Sequence, residues 1–414
     1  MSDRAPARAG ERREGGRVEG VLDGSATLLR EASREDLRTW DQHAVDAPGG
    51  HILQSLAWGE HRARIGLRIR HLVFGDGRPL LVLDRPWPLI GGSAAYLSRG
   101  PSVDEPAERI AARVDAVARW LGDQGVDVTA ADPEVPEATG FGELLDARGW
   151  HRIEELWQSR HRMTRPIREG EDEAAALGEI AKSTRQRIRA AEREGIVVVR
   201  FDARSGLTDA VDRPGASRDG AEGGRGGGDG DPGEGFVRPS EPLEVALQRF
   251  YGWLVATGER RGFEVGTPAE HVAWWRAAAG AGHLVYLESH APDGEPLGGL
   301  VLYRHGDRLS TASSADRAET RRAHPGALHL LRWRALQLAI REGRRELDMG
   351  GVDVPGARRE PREGDPMYGL YQHKRAFGAE WLALAGAHER VARPRRYLIG
   401  RASARLARLA GRSA

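Results

Sequence analysis

Apolar and polar positions follow one another in the same order in the two halves of this chain. His71-Leu-Val-Phe74 is followed by Asp76-Gly-Arg-Pro-Leu80, and His283-Leu-Val-Tyr286 by Asp293-Gly-Glu-Pro-Leu297. Each set is an apolar run, an Asp-Gly turn signal and a second apolar run, which predicts an antiparallel hairpin. Helical periodicity precedes the hairpins at Gln54–Ile65 and Leu243–Arg261, and follows them at Ile110–Gly122 and Ala327–Glu342. After helix-stopping residues, each later helix leads to a short apolar segment, Val126–Ala130 or Glu346–Met349, that reads as a closing strand. Helix, hairpin, helix and returning strand make an α/β (α+β) unit with a mixed, mostly antiparallel sheet. Its recurrence predicts two tandem copies of one domain.

Between and beyond these units the pattern breaks down. Residues 1–24 read as a disordered basic tail. Residues 204–240 read as a flexible insertion, because the run Ala221 to Gly235 is mostly glycine and charge and has nothing to bury. The join between the copies falls near Thr164–Pro166, giving a first domain at 25–165 and a second at 166–388. The remainder, 389–414, reads as a basic amphipathic helix. Arg401, Arg405, Arg408 and Arg412 share one stripe of it, and Ile399, Ala402, Leu406 and Leu409 a neighbouring one. Such a helix either lies on anionic lipid or packs its apolar stripe on the first domain.

Composition narrows the chemistry. With 414 residues, 40% of them hydrophobic, the chain can bury two cores of ordinary size. It has no apolar run of about 18 residues and no apolar signal-peptide core near Met1, so a cytoplasmic location is expected. The lack of cysteine removes disulfides, thiolate nucleophiles and the commonest zinc sites. The 14 histidines show no ligand spacing, so no metal is expected. A net charge of +1 means that any RNA contact must rest on local patches. Of the 62 basic side chains only Lys182 and Lys374 are lysines. Where drift has turned solvated cations into arginine, a surviving lysine marks a place that needs a compact ammonium and cannot take a planar guanidinium.

The order of elements resembles the GNAT acyltransferase fold, in which two splayed central strands admit an acyl donor. GNAT enzymes that use coenzyme A offer a glycine-rich loop and a helix N-terminus to its pyrophosphate. The corresponding stretch here is Arg321-Arg-Ala-His-Pro-Gly-Ala327, where Pro325 has no N–H to give. The first half has no such loop, and no cofactor is expected.

Five segments taken in order resemble the Fem family of peptidoglycan bridge-forming aminoacyltransferases (FemA, FemB, FemX), whose members carry two GNAT-like domains. They are Leu53-Gln-Ser-Leu-Ala-Trp58, Tyr96-Leu-Ser-Arg-Gly-Pro101, Lys182 through Gly195, Asp348-Met-Gly-Gly351 and Leu370-Tyr-Gln-His-Lys-Arg-Ala-Phe-Gly378. Both lysines fall inside them. Heptads for a coiled-coil arm are missing at the Gly-rich insertion, so the resemblance is to the armless FemX type.

The resemblance implies an aminoacyl-tRNA donor, a UDP-linked or lipid-linked muropeptide acceptor and a protein acting as a monomer. It places Lys374, in Tyr371-Gln-His-Lys374, near the reacting ester as the catalytic charge. His373 beside it has a ring suited to proton transfer, although neighbours on a strand face opposite ways, which favours a structural role. By position, Arg62 after Trp58 and Arg260 in Glu259-Arg-Arg-Gly-Phe263 are candidates for the acceptor's diphosphate, with Arg99 a weaker one that either binds or caps a turn. Lys182, Arg185 and Arg189 lie on one helix with Arg187 and Arg193, a crowding that costs helix stability unless a polyanion faces it. With Arg322 they are the candidate tRNA contacts, against the alternative of a solvated face partly neutralised by Glu192 and Glu194. Two other functions stay open: an N-acyltransferase using acyl-CoA, and a non-catalytic scaffold that binds RNA or membrane.

Overall fold

The computed structural model describes residues 27–156, 160–208, 231–354 and 358–409. The predicted basic tail and the glycine-rich centre of the insertion lie outside them. The first half contributes strands β1 (Leu29–Glu31), β2 (Arg68–Phe74), β3 (Pro79–Pro86), β4 (Ser93–Leu97), β5 (Val128–Ala131) and β6 (His151–Arg152). Its helices are α1 (Arg34–Arg38), α2 (Leu56–Arg64), α3 (Ala107–Asp123) and α4 (Phe141–Asp146). The second half contributes β7 (Arg162–Pro166), α5 (Glu173–Glu179), α6 (Lys182–Glu194), β8 (Val197–Asp202), α7 (Leu243–Arg261) and α8 (Pro268–Gly280). It continues with β9 (Leu284–His290), β10 (Pro296–His305), β11 (Arg308–Asp316), α9 (Thr320–Ala323), α10 (Ala327–Arg341) and β12 (Glu346–Asp348). Last come α11 (Tyr368–Arg375), β13 (Glu380–Leu382), β14 (His388–Val391) and α12 (Pro394–Leu409).

These strands form two seven-stranded sheets, in the orders β1-β2-β3-β4-β5-β14-β6 and β13-β7-β12-β11-β10-β9-β8. Each sheet contains one parallel pair, β4 with β5 and β11 with β12, and is otherwise antiparallel. Both predicted hairpins are present, β2 with β3 and β9 with β10, and the central helices α3 and α10 bury their apolar faces against their own sheets. The duplicated mixed fold expected from the pattern is what the chain adopts.

Two boundaries are corrected. Arg162–Pro166 pairs with β12 and β13 of the second sheet, so the crossover between domains precedes Arg162 instead of falling at Thr164–Pro166. His388–Val391 is not the start of a helix but a strand of the first sheet, seated between β5 and β6. The chain thus returns to its first domain at the end, a long-range pairing that local periodicity cannot report. The ends of the 204–240 insertion are also not loose: Leu207 and Phe236 are buried, and Val237 donates to the Val198 carbonyl at 2.8 Å beside β8.

The halves share a core. Trp40, Ile52, Trp58 and Leu81 of the first half and Phe250, Trp275 and Tyr286 of the second lie in one buried cluster, with Trp58 and Trp274 edge to face at 4.8 Å. A polar seam runs alongside. The Glu134 carboxylate accepts from Arg162 Nη1 at 3.1 Å and Arg308 Nη2 at 2.5 Å. The His51 and His305 rings meet at 4.4 Å, and the Gly306 N–H donates to the Val45 carbonyl at 2.6 Å.

Helix α12 settles onto the first domain through the face carrying Tyr397, Gly400 and Ala407. Gly400 packs on the Trp87 ring so closely that any side chain there would collide, and Arg396 Nε donates to Asp127 at 3.1 Å. The predicted apolar stripe is on the other side: Ile399 and Leu406 are 56% and 65% exposed, and Leu398, which was not part of it, is 66% exposed beside them. Arg408 and Arg412 lie beyond the side chains that are described.

Candidate active site

Strands β11 and β12 run side by side only from Arg308–Ser310 and Glu346–Asp348. Past that point β12 ends while β11 continues to Asp316, leaving a splay between them. The segment after β12 is Asp348-Met-Gly-Gly351. Asp348 Oδ1 accepts the Gly350 N–H at 2.8 Å, closing a tight turn, and Gly350 takes φ +80°, where L side chains are strained. The other oxygen of Asp348 faces Arg162 Nη1 at 3.4 Å, tying the turn to the seam with the first domain.

The turn holds Lys374. Its Nζ donates to the carbonyls of Gly350 and Gly351 at 2.8 and 3.0 Å, so as an ammonium it keeps a third N–H in hand. Lys374 is 3% exposed. Burial, helped by Arg332 and opposed by Asp348, lowers its pKa to about 7. A group poised at neutrality in a strand splay suits the handling of charge that appears during a reaction.

The Tyr371-to-Lys374 segment is helical, not a strand, which corrects the inference drawn for His373. On α11, Tyr371 and Lys374 are one turn apart, and both are buried. The Tyr371 hydroxyl donates to Glu360. His373 sits with its ring 4.8 Å from His329 and 5.4 Å from Phe377. Burial and the nearby Arg332, His329, Lys374 and Arg187 push its pKa far down, so its imidazole is neutral at physiological pH.

The other candidates distribute over three places. Arg62 lies over the Trp58 ring at 5.1 Å on α2, whose start is capped by Ser55 accepting from the Trp58 N–H at 3.0 Å. Its Nε is buried without a hydrogen-bond partner, and burial together with Arg85 lowers its pKa. Arg85 is a cation the sequence reading missed, since nothing local ties β3 to α2. Arg99 is committed to Asp132: its N–H donates to Oδ1 at 3.0 Å, its guanidinium pairs with the carboxylate at 3.4 Å, and its φ of +55° fits a turn. Arg260 Nη2 lies 3.3 Å from Thr257 and 3.5 Å from Asp316 at the end of β11.

Lys182 and Arg189 are exposed on α6, whereas Arg185 donates to the carbonyls of Gly178 and Ile180 at 2.6 Å each. Thr184, Ile188 and Ala191 are buried on the opposite side, and α6 packs on α10. The contact is tight: a Cβ at Gly326 would lie 2.5 Å from the Arg187 carbonyl oxygen. Glu194 also reaches His324, so the exposed Arg322 and the cations of α6 flank one surface.

Two cavities lie elsewhere. One of about 210 Å³ lies in the seam, lined by Gly50, Gly306, Arg308 and Glu346, and the other, between α2 and α8, is lined by Glu60, Arg64 and Arg276. Among the described residues no group of three or more histidines and carboxylates is arranged to hold a metal ion.

The acetyltransferase (GNAT) domain family matches residues 230–375, a span that includes β9 to β12 and Lys374. The crystal structure of FemX superposes with a TM-score of 0.67 at 18% identity, covering 90% of this chain and 100% of that one. The structure of L-PGS from Bacillus licheniformis is more distant, with a TM-score of 0.48 at 11% identity over 94% of this chain and 99% of that one. No curated protein sequence matches. The resemblance to FemX stated from the sequence is therefore borne out in the fold. This chain has the fold of two tandem GNAT-like domains, with a GNAT domain match in its second half and the fold of FemX over nearly its whole length.

Proposed function

We propose that this chain is an aminoacyltransferase that moves an amino acid from a charged tRNA to a stem-peptide amine of a peptidoglycan precursor. The observation that carries the proposal is Lys374 at the splay, its Nζ anchored by two carbonyls with one N–H unused. An ester is already activated, so the reaction needs no enzyme nucleophile. The amine attacks the ester carbonyl, a C–N bond forms, the C–O bond to the ribose breaks, and one amine proton ends on the departing ribose oxygen. What the enzyme must supply is alignment and a charge for the tetrahedral oxyanion, which an ammonium poised beforehand provides.

Support for an RNA-borne donor over acyl-CoA comes from the turn that opens α10. Pro325 lacks an N–H, and the Arg187 carbonyl covers Gly326, so the place where a pyrophosphate would approach the backbone is occupied. Next to it, Lys182, Arg189 and Arg322 offer exposed cations to phosphates. The test is transfer of labelled amino acid from a panel of charged tRNAs to UDP-linked and lipid-linked precursors. Sensitivity to ribonuclease supports the reading, and transfer from acetyl-CoA alone defeats it.

For the acceptor, Arg62 lies over Trp58 with Arg85 near enough to lower its pKa, a local excess of positive charge that favours a diphosphate. Arg62→Ala is expected to raise KM for the precursor about tenfold with kcat little changed, as for loss of one charged hydrogen bond. An unchanged KM removes Arg62 from the site.

A lipid-linked acceptor fits the outer face of α12. Leu398, Ile399 and Leu406 form its exposed stripe, with exposed Arg395, Arg401 and Arg405 around it. The Leu89 loop, 83% exposed at that residue, stands close by, since Arg396 reaches the Gly91 carbonyl. Among the described residues no helix is long and apolar enough to cross a membrane, and on this reading α12 makes a peripheral contact. Cosedimentation with phosphatidylglycerol vesicles is expected to be lost in the Leu398→Ser, Ile399→Ser, Leu406→Ser triple variant. Equal sedimentation of both proteins would leave α12 without this role.

A further inference from the structure

Arg332 lies within an apolar run of α10, Leu330-Leu331-Arg332-Trp333, and is 6% exposed. No ion pair engages it among the described residues. Its Nη1 is buried with no hydrogen-bond partner, and its Nη2 reaches only Ser314 Oγ, at 3.5 Å. Ser314 is on the part of β11 that has already parted from β12, so the guanidinium points to the same splay as Lys374. The two cations are close enough for Arg332 to help depress the pKa of Lys374. Burial alone lowers the pKa of Arg332 to about 10, with no carboxylate acting against it.

A buried guanidinium without a counter-ion is an expensive arrangement. Among the described residues the other buried arginines are paired, as Arg304 is with Asp202 and Glu342, Arg113 with Asp76 and Glu105, and Arg200 with Asp202. A structural role would be filled better by leucine or methionine. The departure at Arg332 points to a charge that arrives from outside.

We infer that Arg332 and Lys374 together form an anion site in the splay of the second sheet, whose ligand is the phosphate ester nearest the reacting end of the donor. Arg332 supplies a planar two-nitrogen fork that holds one phosphate through two oxygens, while the neighbouring Lys374 adds positive charge and keeps its third N–H for the adjoining ester. Arg332 is thereby a donor-binding residue. The inference rests on the aminoacyl-transfer reading for the identity of the donor, but the anion site itself does not.

The experiment measures binding of three probes to the full chain and to its Arg332→Gln and Arg332→Lys variants at one ionic strength: an uncharged RNA minihelix ending in CCA, coenzyme A and inorganic phosphate. Thermal unfolding without ligand is followed in parallel. Arg332→Gln is expected to weaken minihelix and phosphate binding about tenfold, as for one charge-assisted hydrogen bond, with Arg332→Lys between the two. Its unliganded Tm is expected to rise, because an unpaired buried charge has been removed. Equal affinity of all three proteins for every probe would overturn the site. A marked fall in Tm for both variants would also overturn it, since it would show that the guanidinium is structural. If coenzyme A binding depends on Arg332 and minihelix binding does not, the anion site stands and the RNA donor falls.

Discussion

Lys374→Ala is expected to lower the turnover of aminoacyl transfer on the order of a hundredfold or more, the typical loss when one donor to a developing oxyanion is removed. KM for the acceptor should change little, because Lys374 is on α11 at the splay while Arg62 and Arg85 are on α2 and β3. Lys374→Arg should not rescue turnover: the Nζ is 3.7 Å from where a Cβ at Gly350 would sit, and a planar fork does not fit under that turn. Turnover within a few-fold of the parent would reject the catalytic role. A separate signature is thermodynamic. The folded-state pKa is lowered from 10.5 to about 7, so between those values the unfolded chain binds the extra proton and stability rises with pH. Across pH 7 to 10 the parent should gain Tm relative to Lys374→Met, which cannot titrate. A constant difference between the two would show that the amine is not buried as described.

Removing Glu134 is expected to have the largest effect on stability. Its side chain is 10% exposed and faces Arg162 and Arg308, with Arg99, His51 and His305 close enough to be felt. Desolvation of the carboxylate opposes ionisation, but the charges around it, Arg162 foremost, outweigh it and hold the pKa down to about 2. Glu134→Ala removes the shortest carboxylate contacts of Arg162 and Arg308 and leaves them the longer ones to Glu346 and Asp348, at 3.4 to 3.6 Å. Breaking such a buried pair from one side costs about 3–5 kcal/mol, which lowers Tm by about 3–6 °C in a chain of this length. Because the folded pKa is depressed, the stabilisation is present in full above about 4.5 and is lost as pH falls from there toward about 2. Thermal unfolding between pH 7 and 3 checks both points. A Tm within about one degree of the parent, the size expected of a surface substitution, would mean the seam is not held by this charge.

The Glu134 seam also bears on catalysis. Arg162 bonds both Glu134 of the first domain and Asp348, whose other oxygen shapes the turn that holds Lys374. Loosening the seam is therefore expected to disturb the Lys374 site without any change at the splay itself.

Much of the fold was legible locally. The hairpins at His71 and His283, the helix Leu243–Arg261 and the central helices follow from apolar spacing and Asp-Gly turns, which report short-range geometry whatever the neighbours are. Lys374 stood out because arginine had replaced lysine nearly everywhere else. Arg332 and Glu134 were missed for the opposite reason. A charged residue in an apolar helix and an acid in a loop look ordinary until it is known what surrounds them.

The errors have the same origin. Tyr371-Gln-His-Lys374 is too short for periodicity to separate helix from strand, and packing against the splay decided for helix. His388–Val391 becomes a strand because β5 and β6 leave a slot between them in a sheet built mostly from residues far earlier in the chain. The sequence alone determined the duplicated α/β unit, the order of its elements and the lysine worth watching, since these depend on side-chain spacing within about ten to twenty residues. The tertiary structure alone decided which charges are stripped of water and which of those are paired. Burial and dielectric are properties of the assembled neighbourhood, so they settle the state of Lys374, Arg332 and Glu134 only once both sheets are in place.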